Sequence, residues 1–232
     1  MNVIITGASK GIGKAIAIKF AAAGHHLFLC ARNGEVLEAT AKEISIINPN
    51  VTVKTLVCDL SIKAEVLTFA NWCLQNGVPD ILVNNAGIYN PGNTMDEPEG
   101  SLEMMMNTNF YSAYHLTRKL LPSMIKNGHG HIFNICSIAS LHAYDGGGGY
   151  SISKFAMNGL TKNLRHELKP LGIKVTGVFP GAALTDSWKD FDNSNNRIME
   201  ASDIAEMVFA ASMLSPQAVV DEIIITPQLG EL

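Results

Sequence analysis

The sequence predicts a single-domain α/β fold over residues 1–232, a doubly wound sheet of about seven mostly parallel strands with helices on both faces. Short apolar runs alternate with longer segments of helical periodicity. The apolar runs are near-continuous, which is typical of parallel strands that are covered on both sides. The chain is 47% hydrophobic and 16% charged, a composition that allows a core of this size.

The strands and helices follow from these runs in chain order. The predicted strands are residues 2–5, 27–30, 53–58, 81–84, 131–135, 173–178 and 222–226. The segments between them are long enough for crossover helices. The predicted helices are residues 12–24, 34–47, 61–76, 101–126 and 151–170.

Two segments lack helical or strand periodicity. Residues 88–100 contain several proline and glycine breakers, and residues 181–200 are polar and follow a predicted strand. Ligands bind at the carboxyl ends of parallel strands, so we expect 181–200 to form a lid over the substrate. The alternative is a plain surface connection.

Composition excludes several classes of function. The net charge of −4 and the lack of a basic cluster argue against a nucleic-acid partner. No apolar run reaches the 18 or so residues of a membrane span, and the first apolar run leads directly into a glycine-rich turn. We therefore expect a cytoplasmic protein with no membrane partner. Four cysteines without a paired motif indicate reduced thiols, and we expect no metal site.

The first predicted strand runs into a glycine-rich turn, residues 6–13 (TGASKGIG), followed by a helix. Glycines let the backbone approach a pyrophosphate, and the helix N-terminus supplies N–H donors with a positive dipole. A dinucleotide site is therefore expected here. Its predicted residues in the turn are Gly7, Ser9, Lys10, Gly11, Ile12 and Gly13.

The end of the second strand bears on the choice of cofactor. An NAD site usually has an acidic residue there to hold the ribose 2′-hydroxyl. Here Arg32 takes that place, no acid precedes Glu35, and Lys10 lies in the turn. Two cations suit a 2′-phosphate, so NADP (as NADPH) is favoured over NAD. The alternative for Arg32 is a solvated surface arginine.

Tyr150 and Lys154 are four residues apart at the start of a predicted helix, so both side chains project from one face. A nearby cation favours the phenolate, and such a tyrosine can exchange a proton with an alcohol or carbonyl oxygen. Alone, the pair is equally consistent with a helix surface. Ser137 strengthens the first interpretation, because it ends a predicted strand thirteen residues earlier.

With these motifs in place, the sequence resembles the short-chain dehydrogenase/reductase family over nearly its whole length, which implies a Rossmann-like fold. The matching features are TGASKGIG at 6–13, CDL at 58–60, NNAG at 84–87, Asn109, Ser137, Tyr150, Lys154 and PG at 180–181.

The resemblance implies four catalytic residues. Tyr150 is the implied general acid in reduction and base in oxidation. Ser137 is implied to hydrogen-bond the substrate oxygen as its charge changes. Lys154 is implied to bind the nicotinamide ribose and to favour ionised Tyr150. Asn109 is implied to hold a water that links Lys154 to solvent.

The resemblance also implies the rest of the cofactor site. Tyr150 and Lys154 contribute to it, and the further residues are Asp59, Leu60, Asn85, Ala86, Gly87, Pro180, Gly181, Ala183 and Thr185. The implied activity is NADPH-dependent oxidation and reduction of a small-molecule carbonyl or alcohol. A homodimer or homotetramer packed through helices 101–126 and 151–170 is implied as well.

The carboxyl-terminal residues lack the Asp-Gly-Gly loop of many ketoacyl-carrier-protein reductases, and look more like sepiapterin-reductase-like and hydroxy-acid-dehydrogenase-like members. Four glycines, 146–149, are expected to leave one wall of the pocket without side chains. Two alternatives remain open. One is a 3-oxoacyl-carrier-protein reductase, whose docking patch would include Arg118, Lys119 and Lys126. The other is a non-catalytic NADP-binding regulator, which the complete set of four catalytic residues disfavours.

Overall fold

The structure is a computed structural model that describes residues 1–188 and 191–231. Seven strands form one sheet in the order β3-β2-β1-β4-β5-β6-β7, and every neighbouring pair is parallel. The strands are β1 Asn2–Thr6, β2 His26–Ala31, β3 Val53–Val57, β4 Ile81–Asn84, β5 Gly130–Ile135, β6 Ile173–Pro180 and β7 Glu222–Ile225. The predicted α/β class and doubly wound parallel sheet are confirmed.

The helices cover both faces of the sheet. They are α1 Gly11–Ala22, α2 Gly34–Ile47, α3 Lys63–Asn76, α4 Ser101–Met106, α5 Ser112–Asn127, α6 Gly148–Leu168 and α7 Ala201–Ser212. α6 begins at Gly148, before the predicted start at residue 151. α7 has no counterpart among the predicted elements; its buried Ile204 and Val208 are four residues apart, which is the helical spacing that indicates it.

The predicted helix 101–126 is interrupted by one widened turn. Residues Asn107–Tyr111 form a π-helical turn that joins α4 to α5. Such single wide turns are frequent at functional sites, and this one contains the buried Asn109. The interruption therefore lies at a residue for which the family resemblance implies a catalytic role.

Two apolar layers hold the sheet. On one face α1, α2 and α7 pack on the strands through buried residues such as Phe20, Leu37 and Val208. On the other face α3, α5 and α6 do so, with Phe69 and Leu120 in that layer. All four cysteines are buried and unpaired. Within the described residues, no helix combines the length and apolarity needed to cross a bilayer.

The sheet order places the site. β1 pairs with β2 on one side and with β4 on the other. The chain runs outward from β1 through β2 and β3, and then crosses back to β4 and continues outward in the opposite direction. At such a switch point the loops after neighbouring strands diverge and leave a crevice at the carboxyl edge. The glycine-rich turn after β1 and the NNAG segment at the end of β4 meet at this crevice.

Candidate active site

Hydrogen bonds of Thr6 and Asn85 join the glycine-rich turn to the end of β4. Thr6 Oγ1 accepts from the backbone N–H groups of Asn85 and Ala86, both at 2.9 Å. Asn85 Nδ2 donates to the carbonyl oxygens of Thr6 at 2.8 Å and Gly7 at 3.1 Å. Two loops that are about eighty residues apart in sequence therefore form one rigid floor for the crevice.

Close approach and backbone conformation explain the glycine spacing in the turn. Gly7 has a φ of +64°, and a Cβ there would lie 3.0 Å from Ala86 Cα. A Cβ on Gly13 would lie 2.4 Å from the carbonyl oxygen of Gly7. The result is a cradle of bare backbone at the start of α1, which fits a pyrophosphate in space and in dipole.

The other rim of the crevice contains the predicted adenosine residues. Arg32 is exposed just beyond β2, while Asp59 and the buried Leu60 follow β3. Ser61 donates to Asp59 Oδ1 from its N–H at 2.9 Å and its hydroxyl at 2.8 Å. Partial burial raises the pKa of Asp59, but these hydrogen bonds and the charge of Arg32 outweigh it and lower that pKa overall.

Lys10, the second predicted cation, is already paired. Its ammonium forms an ion pair with Asp186, and both side chains are exposed. A Cβ on Gly11 would lie 3.2 Å from Thr185 Cγ2, so Thr185 also lies against the turn. The structure therefore brings the chain after β6 directly over the cradle.

Lys154 is the buried cation of the site. Its side chain is on α6, the residue is 5% exposed, and Nζ donates to the Ile135 carbonyl oxygen at 2.9 Å. Nζ lies 5.7 Å from the centroid of the Tyr150 ring. The end of β5 thus fixes the ammonium next to the tyrosine that the sequence pairs with it.

Asn109 contributes an amide with three hydrogen bonds beside this cation. Its Oδ1 accepts from Ile88 N at 2.7 Å, and its Nδ2 donates to Ile88 O at 3.0 Å and to Ser153 Oγ at 2.9 Å. A Cβ on Gly87 would lie 3.3 Å from Asn109 Oδ1 and 3.7 Å from Lys154 Nζ. Asn109, Gly87 and Lys154 are therefore neighbours.

Ser137 follows β5 and reaches the end of β6. Its hydroxyl accepts from Ala139 N at 3.1 Å and lies 3.5 Å from the Pro180 carbonyl oxygen, to which it donates. The hydroxyl of Ser140 accepts from Ser137 N at 3.1 Å. This reciprocal pair fixes the backbone at Ser137 in the crevice.

Tyr150 lies in the first turn of α6 and is partly buried. The ring of Tyr89 packs edge-on against it, with centroids 4.9 Å apart. Burial and then the neighbouring Tyr89 phenol raise the pKa of Tyr144, which keeps Tyr144 protonated. Tyr89 and Tyr144 therefore place two further phenols near Tyr150.

The 181–200 segment is anchored at its base and near its end. Met199 N donates to Ala182 O at 3.1 Å. The guanidinium of Arg197 donates to the carbonyl oxygens of Gly230 at 2.9 Å and Glu231 at 3.1 Å. The Glu231 carboxylate accepts from Ala182 N at 3.3 Å. The C-terminal residues thus bind the segment; its residues 189–190 lie outside the described part of the chain.

The predicted residues form two groups in the crevice. Arg32 and Asp59 lie close enough for the charge of Arg32 to lower the pKa of Asp59, while Lys10 pairs with Asp186 beside the glycine-rich turn. The second group joins Gly87, Asn109, Tyr150 and Lys154 by direct contacts, and Ser137 contacts Pro180 at the adjoining ends of β5 and β6. Thr185 lies against Gly11, Gly181 lies next to Glu231, and Ala183 pairs with Met199.

Sequence reasoning missed several residues that shape this site. Thr6 is the first residue of the glycine-rich motif and the last of β1, and Tyr89 follows the NNAG motif by two residues; closeness to these motifs is the signal that could have included both. Glu97 and Glu231 lie in irregular segments, and their contacts with Gly149 and Ala182 have no signal in local sequence.

Comparison with known proteins gives a consistent result. The family model described as short chain dehydrogenase matches residues 1–196. A sepiapterin reductase from Chlorobaculum tepidum is 35% identical, over 99% of this chain and 97% of that protein. A metagenomic short-chain oxidoreductase in complex with NADP is 31% identical, with a TM-score of 0.86 over 98% of this chain and 97% of that one.

A third similar protein differs in its bound cofactor. A 7α-hydroxysteroid dehydrogenase complexed with NADH and a 7-oxo bile acid is 30% identical, with a TM-score of 0.87 over 99% of this chain and 94% of that one. The matched length, the identity and the sheet order agree with the motifs of the crevice. The chain belongs to the short-chain dehydrogenase/reductase family and is an oxidoreductase of that family.

Proposed function

We propose that the protein is an NADPH-dependent reductase of small carbonyl compounds. The observation that carries this proposal is the position of Lys154. A buried ammonium, held at 2.9 Å by the Ile135 carbonyl, lies one helical turn from Tyr150 and next to Gly87, whose Cβ would be 3.7 Å from Nζ. Burying a cation is costly unless it is paired or hydrogen-bonded, so a buried lysine at a crevice indicates a functional site.

The cradle of Gly7, Gly11 and Gly13 fits the pyrophosphate of a dinucleotide, and Asn85 to Gly87 line the same crevice. When bound, a nicotinamide cofactor accepts or supplies the hydride. Arg32 at the tip of β2 supports NADP over NAD, because its guanidinium suits a 2′-phosphate. Solved relatives hold NADP in one case and NADH in another, so the preference needs its own measurement.

The proton chemistry is proposed to belong to Tyr150. In reduction its phenol gives a proton to the substrate oxygen, and in oxidation the phenolate takes that proton back. Ser137, fixed by its own backbone hydrogen bonds, donates to the same oxygen as negative charge develops on it. Lys154 holds the ribose hydroxyls and stabilises the phenolate by its charge.

Asn109 and the 181–200 segment complete the proposal. The amide of Asn109 donates to Ile88 O and Ser153 Oγ and accepts from Ile88 N, which fixes it beside Lys154. A water held there would link the ammonium to solvent. Thr185 lies against Gly11 of the glycine-rich turn. This contact supports the proposal that residues 181–200 cover the cofactor and the substrate.

The proposal is tested by following NADPH and NADH oxidation by absorbance with a panel of carbonyls. The panel holds a diketone, an aromatic aldehyde, a 3-oxoacyl thioester and a pterin. Tyr150→Phe is compared with Tyr111→Phe, which removes the same hydroxyl from an exposed tyrosine. We expect NADPH-selective turnover that Tyr150→Phe abolishes and Tyr111→Phe retains.

Other outcomes choose between the alternatives. Turnover of a 3-oxoacyl group only when it is attached to a carrier protein indicates the carrier-protein reductase. Tight NADPH binding without reduction of any carbonyl indicates the regulator. A preference for NADH overturns the proposed role of Lys10 and Arg32.

A further inference from the structure

The glycine run before Tyr150 is in contact with the irregular segment 88–100. Gly92 N donates to the Gly146 carbonyl oxygen at 3.0 Å, and Gly146 N donates to Asn93 Oδ1 at 2.8 Å. These two bonds connect parts of the chain that are 53 residues apart. They align the segment with the start of α6.

Glu97 continues this contact onto the helix itself. Its Oε2 accepts from Gly149 N at 3.0 Å, and Gly149 is the second residue of α6. The first N–H groups of a helix have no partner within the helix, and the positive end of the dipole attracts a carboxylate. Glu97 therefore caps α6 from another segment, one residue before Tyr150.

The glycine run was expected to leave an open wall, and the contacts show a different reason for it. A Cβ on Gly148 would lie 2.3 Å from the Gly92 carbonyl oxygen and 3.1 Å from Glu97 Oε2. A Cβ on Gly149 would lie 2.9 Å from the same Glu97 oxygen. The space beside Gly148 is filled by segment 88–100, and that beside Gly149 by Glu97 and Met105, whereas a Cβ on Gly146 would have no neighbour within 4 Å.

The same segment also contacts the ring of Tyr150. Tyr89 packs its ring edge-on against the Tyr150 ring, with centroids 4.9 Å apart. Glu97 is itself held, because its backbone N–H donates to Asn93 O at 2.9 Å. Segment 88–100 thus contacts the ring of Tyr150 through Tyr89, and the backbone of the preceding residue, Gly149, through Glu97.

We propose that Glu97 is a positioning residue for Tyr150. Its carboxylate fixes the first turn of α6 and so sets where the phenol meets the substrate oxygen. This inference rests on the proposed role of Tyr150 in proton transfer. Small displacements of a proton donor are costly to turnover, so removing this anchor affects catalysis more than cofactor binding.

The test compares Glu97→Ala and Glu97→Gln with Glu99→Gln, which removes the same charge from an exposed position two residues further on. The chain has five tyrosines, so ¹³Cζ-tyrosine NMR resolves a small set of signals. The signal that is lost in Tyr150→Phe identifies Tyr150. Hydrogen exchange of peptides over residues 148–152 reports the first turn of α6, and kinetics report kcat and the NADPH Kd separately.

We expect Glu97→Ala to move the Tyr150 signal, to speed exchange at 148–152 about tenfold and to lower kcat about tenfold or more, with the NADPH Kd within about twofold of wild type. Glu97→Gln keeps an acceptor for Gly149 N–H and loses the charge, so it should show smaller changes and retain most of kcat. Glu99→Gln should match wild type.

Glu97→Ala with the wild-type Tyr150 signal and wild-type exchange overturns the inference. If Glu97→Ala does not fold, Glu97→Gln decides, and exchange equal to that of Glu99→Gln overturns it. The NMR and exchange measurements need no substrate. If the wild-type enzyme has no turnover that depends on Tyr150, the proposed function is contradicted. The NMR and exchange measurements still test whether Glu97 positions Tyr150.

Discussion

The ammonium of Lys154 donates a 2.9 Å hydrogen bond to the carbonyl oxygen of Ile135, the last residue of β5. This bond joins helix α6 to the carboxyl end of β5 and fixes the cation beside Tyr150. Lys154→Met keeps the length of the side chain and removes both the donor and the charge. Proton transfer by a positioned side chain contributes about 10²–10⁴-fold, so we expect kcat with NADPH to fall at least about 100-fold.

The matched control is Lys162→Met, an exposed lysine on the same helix, which should retain wild-type turnover. Steady-state NADPH oxidation with the best carbonyl of the panel measures both variants. Activity of Lys154→Met above half of wild type would contradict the assignment.

Asn109→Asp tests the amide that joins the π-helical turn to residue 88. The aspartate has no donor for the Ile88 carbonyl oxygen or for Ser153 Oγ, which Nδ2 now contacts at 3.0 and 2.9 Å. An unpaired buried acceptor costs about 1–3 kcal/mol, so the free energy of unfolding at pH 7 should fall by that amount. Urea denaturation measures it. Asn107→Asp, at an exposed position in the same turn, should change the free energy of unfolding little.

His131 predicts how stability depends on pH. Burial, and then the charge of Lys174, lower the pKa of His131 from 6.5 to about 3. Between those values the unfolded chain binds a proton that the folded chain does not. The His131 contribution is therefore complete above about pH 6.5 and is lost as the pH falls, by up to about 1.4 kcal/mol per pH unit.

Urea unfolding at pH 7 and pH 5 measures this dependence in wild type and in His131→Gln. The glutamine can donate to Thr176 Oγ1, the partner of His131 Nε2 at 2.7 Å, and it does not titrate. We expect the loss of stability between pH 7 and pH 5 to be smaller in His131→Gln. An equal loss in both proteins would refute the prediction.

Arg32→Ala tests the proposed cofactor preference. The guanidinium is exposed, so its contact with a 2′-phosphate is screened by solvent, and we expect the NADPH Kd to rise about tenfold. The NADH Kd should stay within about twofold, because NADH has no phosphate at that position. Fluorescence titration of both cofactors measures this, and Arg118→Ala controls for loss of a surface arginine. A parallel rise in both Kd values would show that Arg32 does not read the phosphate.

Gly149→Ala tests the close contact at the start of α6. The added methyl would lie 2.8 Å from Met105 Cε and 2.9 Å from Glu97 Oε2, so Glu97 must move. We expect overpacking to cost about 1–3 kcal/mol of stability and kcat to fall with it. Gly159→Ala, on the same helix with open space around its Cβ, is the control and should be neutral or slightly stabilising. Thermal unfolding and turnover together check the prediction, and a wild-type kcat in Gly149→Ala would refute it.

Local sequence determined most of the elements. All seven strands were predicted within a few residues, because buried parallel strands are apolar throughout and glycine or polar residues mark their ends. The spacing of Tyr150 and Lys154 likewise follows from the period of one helix. α7 was missed, although its buried residues have helical spacing, and the wide turn at Asn107–Tyr111 was not foreseen. The position of this wide turn depends on how α4 and α5 pack.

Family motifs, rather than periodicity, pointed to Asn109 and Gly87, and the catalytic role of Asn109 and the cofactor-binding role of Gly87 remain predictions. The sequence by itself determined which strand segments precede the site residues, the glycine-rich turn and the spacing of the pair on α6; the order of the strands came from the structure. Only the tertiary structure decided that Lys10 pairs with Asp186, 176 residues away, and that Glu97 caps Gly149, 52 residues away. Local patterns record which residues share one helix or strand. Contacts between distant loops depend on the path of the whole chain, which brings the carboxyl ends of parallel strands to one edge.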